Sequence, residues 1–99
     1  MTLEIIKTKY TEIESFCKKE GIVYMGVFGS VARKQETQNS DIDLYVKYLN
    51  RGDKSLLDIL KMENNLSNLF GKKVELIHNP SPFVLNNINK DIIKLYETN

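Results

Sequence analysis

Between Asp41 and Tyr48 the chain reads DIDLYVKY. Ile42, Leu44, Val46 and Tyr48 alternate strictly with Asp41, Asp43, Tyr45 and Lys47. Only an extended strand repeats its side chains every two residues, so this segment predicts a strand with one packed face. The opposite face then carries two carboxylates in succession, with Cα atoms about 6.5–7 Å apart.

Other segments supply the elements needed to cover that strand. Leu3, Ile6, Tyr10, Ile13 and Phe16 fall three and four apart, which predicts an amphipathic helix. Lys18 and Lys19 suit its negative end, and Gly21 is a ready stop. Ile22–Phe28 is short, β-branched and aromatic, and ends at Gly29, so it reads as a buried strand. Ser30 to Lys34 predicts a short helix, and Gln35 to Ser40 a polar loop. Asn50 to Asp53 reads as a turn. Ser55 is a good N-cap with Asp58 in the capping-box position, and a helix carrying Ile59, Met62, Leu66, Leu69 and Phe70 should stop at Gly71. Lys73 to His78 predicts a third strand, and Asn79 to Pro82 a turn. Leu85, Ile88, Ile92 and Leu95 predict a last helix running close to the C-terminus. The expected fold class is α/β: a small sheet flanked by helices, built as a single domain over residues 1–99.

Composition narrows the function classes. Fourteen basic residues face thirteen acidic ones, a formal net charge of +1. That gives no basic footprint for nucleic acid. The longest nearly apolar run, Ile22 to Phe28, is far short of the roughly 20 residues of a membrane span. Cys17 is the single cysteine, which excludes an internal disulfide and favours a reducing, cytoplasmic setting. With the single histidine, His78, far off in sequence, a Cys/His nucleophile is disfavoured.

The chemistry lies in the spacing GSVARKQETQNSDID, Gly29 to Asp43. Glycine lets backbone N–H groups approach a phosphate closely, and a helix beginning at Ser30 would favour an anion there. Two carboxylates on one strand face repel each other unless a cation sits between them, and Mg²⁺ commonly takes one or two carboxylates plus substrate phosphates. Glu75 interrupts the apolar strand KVELI and must be solvated or partnered, as a ligand or as a general base. Each piece alone also fits a plain turn, a solvated strand face or an exposed edge position.

Together, Gly29-Ser30, the ten-residue gap, Asp41-Ile-Asp43 and the later acid Glu75 resemble the minimal nucleotidyltransferases of the DNA polymerase beta superfamily. The strings FGSVAR and SDIDLYV are close to that family's usual wording, and the resemblance covers nearly the whole chain. It implies a mixed sheet with the nucleotide site at one end. It implies that Gly29 and Ser30 hold the phosphates of a nucleoside triphosphate such as ATP, and that Asp41, Asp43 and Glu75 bind Mg²⁺ and carry catalysis. Arg33 fits the family's Ala-Arg and would neutralise the triphosphate; Lys34 is a weaker candidate. The departure is Glu75, where the family most often has aspartate. The extra methylene moves its carboxylate, and small misplacements of a reacting group cost about a hundredfold in rate.

The short stand-alone members resemble antitoxins of two-gene modules, whose partner is a HEPN-class ribonuclease toxin. The resemblance implies transfer of AMP from ATP to a tyrosine hydroxyl of that partner. Two other readings stay open at this point: an antitoxin that neutralises by binding alone, and an enzyme acting on a small aminoglycoside-like molecule.

Overall fold

The structure, a computed structural model, describes residues 2–50 and 54–98. Its elements in chain order are α1 (Thr2–Lys7), α2 (Tyr10–Glu20), β1 (Ile22–Phe28), β2 (Ile42–Tyr48), α3 (Leu56–Phe70), β3 (Val74–Ile77), α4 (Pro82–Ile88) and β4 (Ile93–Glu97). The strands form one mixed sheet in the order β3-β2-β1-β4. β1 runs antiparallel to both β2 and β4, whereas β2 and β3 are parallel and joined by the α3 crossover. The expected α/β architecture is borne out.

Alternation along β2 sets the layers. Ile42, Leu44 and Val46 are fully buried in a cluster with Ile6, Ile13 and Cys17 of the N-terminal helices and Met62, Leu66 and Phe70 of α3. Each such apolar side chain contributes about 1.5–3 kcal/mol on burial. Asp43, one position out of phase, is left on the other face. The capping box predicted for α3 is present: Ser55 Oγ accepts from the Asp58 N–H at 3.1 Å, and Asp58 Oδ2 accepts from the Ser55 N–H at 3.0 Å. Gly71 closes α3 in the left-handed conformation, φ +71°.

Three expectations are corrected. The first helix is two: the Thr8 hydroxyl donates to the Ile5 carbonyl at 2.6 Å, and Lys9 N–H bonds back to Ile6 rather than Ile5. A side chain competing for a backbone carbonyl tightens and ends the turn, and Tyr10 consequently lies exposed. Ser30–Lys34 forms a turn, not a helix; Lys34 has φ +58°, which a helix does not accommodate.

The third correction is the C-terminal segment. The helix ends at Ile88, and Ile93–Glu97 forms β4 against the free edge of β1. Asn86, Asn87 and Asn89 are weak helix formers, and pairing with β1 outweighs the three-and-four spacing. Leu95 joins the main core, while Ile88 is buried outside it. Of the turn expected at 50–53, residues 51–53 lie outside the described residues. Among the described residues no helix is long and apolar enough to cross a membrane.

Candidate active site

The sheet register assembles the acids. Asp43 of β2 pairs with Glu75 of β3 on one side and with Phe28 of β1 on the other. Paired positions share a face, so Glu75 lies beside Asp43 although 32 residues separate them. Asp41 lies one residue before β2. Its position is fixed where Ile42 N–H donates to the Lys73 carbonyl at 2.8 Å, and Lys73 Nζ stands 3.9 Å from Asp41 Oδ2. The preceding loop is tied down by Lys72 Nζ on the Thr37 carbonyl at 2.9 Å.

Asp43 is half-buried and has no hydrogen-bond or ion-pair partner among the described residues. Burial pushes its carboxyl up from the ordinary aspartate range, and the charges of Glu75 and Asp41 push it further; Arg33 acts in the opposite sense. This is an uncompensated carboxylate in a site of like charge, the condition that a cation relieves.

Gly29 ends β1 beside Asp43 with φ +78°. A Cβ there would lie 2.8 Å from Asp43 Oδ2. Glycine is required both by the backbone conformation and by the room the carboxylate takes. In the turn that follows, Arg33 N–H bonds to the Gly29 carbonyl and Gln35 N–H to the Ser30 carbonyl. The N–H groups of Ser30, Val31 and Ala32 have no acceptor among the described residues. Consecutive free N–H groups in a tight turn are a kind of donor array that anions use.

The guanidinium of Arg33 is engaged from within the chain. Nη1 lies 2.6 Å from Asp91 Oδ2, and Nε donates to Gln35 Oε1 at 3.1 Å. The other oxygen of Asp91 accepts a long bond, 3.4 Å, from Gly29 N–H. Lys34 is turned away toward Glu4 of α1, at 3.7 Å. Lys47 Nζ sits over the rings of Tyr24 and Tyr45, and His78 stacks edge-on against Tyr48. A cavity of about 590 Å³ is lined by Tyr45, Lys47, His78 and Pro80 among others, and includes none of the acids.

Sequence reasoning missed the supports of β3. Its outward N–H groups at Val74 and Leu76 donate to Ser67 Oγ and Glu63 Oε2 of α3, both at 2.8 Å. These two bonds grip the residues flanking Glu75 and also cover the sheet edge. Asp91 was missed because it fell within the expected last helix. Neither feature leaves a signal in local spacing.

The donor set suits a hard divalent cation: carboxylate oxygens on one face, with Asp43 and Glu75 lacking an ion-pair partner among the described residues. Among the described residues no three such side chains already converge to ligating distance.

Comparison with known proteins agrees with the geometry. Residues 11–99 match the family model described as polymerase beta, nucleotidyltransferase. A Methanocaldococcus jannaschii protein named "Putative protein adenylyltransferase" is 37% identical over 93 residues, 91% of this chain and 90% of its own length. A solved structure described as a "putative minimal nucleotidyltransferase" is 30% identical, with a TM-score of 0.77 over 94% of this chain and 95% of that one. The fold is also shared with a chain of the complex between tri-AMPylated Shewanella oneidensis HEPN toxin and MNT antitoxin. There the TM-score is 0.70 and the identity 14%, over 94% of this chain and 73% of the other. The chain belongs to the polymerase beta nucleotidyltransferase family.

Proposed function

We propose that this nucleotidyltransferase moves AMP from ATP to a tyrosine hydroxyl of a HEPN-class ribonuclease toxin and thereby acts as its antitoxin. The observation that carries the reading is the lateral pairing of Asp43 with Glu75 next to the free N–H groups of the Gly29–Lys34 turn. It sets an acid face beside an anion cradle. The relative named as a protein adenylyltransferase and the AMPylated-toxin complex of like fold support a protein acceptor.

The N–H groups of Ser30, Val31 and Ala32 hold phosphate oxygens, with the Ser30 hydroxyl as a further donor. Asp41 and Asp43 would hold Mg²⁺, with Glu75 completing the acid set. When bound, the cation neutralises charge on the phosphate oxygens and favours in-line displacement. Glu75, exposed at the rim and facing Asp43, takes the proton of the incoming hydroxyl. The acceptor oxygen forms its bond to the α-phosphorus, the bond from that phosphorus to the β-bridging oxygen breaks, and pyrophosphate leaves with the electron pair. Arg33 offsets the charge accumulating on the leaving group. A reaction that consumes ATP suits a cytoplasmic setting, as does a single cysteine with no partner for an internal disulfide.

The test is the intact mass of the toxin encoded alongside, co-expressed with this protein or with its Asp41→Asn/Asp43→Asn variant. Addition of one or more AMP groups with the wild type alone is expected. A toxin that is unmodified yet bound and silenced by both forms would sink the transferase reading and leave neutralisation by binding.

A further inference from the structure

We infer that Asp91 occupies two donors beside the phosphate seat, Gly29 N–H and the Arg33 guanidinium, from which a nucleotide phosphate must displace it. This inference rests on the proposed nucleotide site and adds a residue that the acid pattern does not contain.

The register brings Asp91 there. Val27 of β1 pairs with Ile93 of β4. Continuing that antiparallel pairing by two residues on each strand sets residue 29 opposite residue 91. The Asp91 carboxylate meets Gly29 N–H through Oδ1 and the Arg33 guanidinium through Oδ2. It is thus an anion held by a backbone N–H of the glycine turn and by the one arginine beside it. A phosphate oxygen would seek the same two donors. Asp91 is itself largely covered, its side chain 19% accessible against 48% for Arg33.

An intramolecular anion on those donors lowers apparent nucleotide affinity in proportion to the fraction of molecules in which it is seated. The Arg33–Asp91 pair is partly exposed, so the competition is modest. Binding of ATP with Mg²⁺ is measured by calorimetry for the wild type, Asp91→Asn, Arg33→Gln and the double variant. Asp91→Ser serves as a second probe, and circular dichroism checks folding. Asp91→Asn should bind ATP about threefold to tenfold more tightly. In the Arg33→Gln background the same change should give less than about a twofold gain, because the shared donor is gone.

Unchanged or weaker binding by both Asp91 variants would overturn the inference and make Asp91 a support for Arg33. An equal gain with and without Arg33 would also overturn it, as a through-space charge effect. Failure of the wild type and every variant to bind ATP would instead remove the nucleotide site on which the inference stands.

Discussion

Gly29 and Asp43 are fitted to each other: the carboxylate oxygen Oδ2 lies 2.8 Å from the place a Cβ on residue 29 would take. The contact follows from the register, since Phe28 pairs with Asp43 and the chain turns at the next residue. The glycine of the motif thus serves the acid as well as the cradle.

Gly29→Ala should accordingly damage both. The left-handed backbone costs a residue with a side chain about 1–2 kcal/mol. The methyl group also pushes the Asp43 carboxylate aside, for which a loss of transfer of tenfold or more is expected. Thermal unfolding and AMP transfer to the toxin read the two effects separately. Wild-type transfer rates would show that Asp43 does not need its observed position.

Asp43→Asn should stabilise the protein while abolishing transfer. Its carboxyl titrates higher in the folded chain than in the unfolded one. The folded state therefore holds more protons between those two values, and stability falls as pH rises through that window. Above it the cost of the charge is complete. Allowing for solvent screening of a half-exposed group, the variant should exceed the wild type by a few tenths to about 1 kcal/mol at pH 7. The gain should vanish below the ordinary aspartate value of about 3.9. Urea titrations of both proteins at pH 7 and pH 3 measure it. Equal stability at both pH values would mean that the crowded charges cost nothing.

Glu75→Gln should lower transfer by about a hundredfold or more while leaving the melting temperature in place, because Glu75 is exposed and makes no structural bond among the described residues. Ser67→Ala should do the reverse in part. It frees the Val74 N–H and loosens β3, costing about 1 kcal/mol with a smaller loss of transfer. Transfer assays paired with melts distinguish the two. A Glu75→Gln protein of full activity would exclude Glu75 as proton acceptor.

Cys17 should be chemically silent in the folded protein. It is completely buried, and burial pushes its thiol up to about 12. Since the thiolate is the reactive form, an aromatic disulfide reagent should label Cys17 only as fast as the protein opens. Adding denaturant should raise the labelling rate in step with the unfolded fraction. Prompt labelling under native conditions would contradict the buried position.

Much of this architecture was legible in the sequence because alternation and capping are local. The period of two in DIDLYVKY placed Asp41 and Asp43 apart from the core, and Ser55, Asp58 and Gly71 bounded α3 correctly. What was not legible depends on pairing at a distance. Ile92 and Leu95 continue a helical spacing, and nothing near them announces that β1 has a free edge. The same pairing presses Ile92 so close to Gly26 that a Cβ there would meet its side chain at 2.7 Å. Asp91 and Glu63 were hidden likewise: their partners, Arg33 and Leu76, lie 58 and 13 residues away.

Along β2 and β3 the even-numbered positions 42, 44, 46, 74 and 76 are buried, while Asp43 and Glu75 sit between them at the surface of the other face. Shape and chemistry are thereby written on separate, interleaved residues. A single carboxylate can be neutralised, lengthened or shortened without disturbing a packed neighbour. Such a chain can lose its chemistry in one mutational step and regain it in another, keeping its fold throughout.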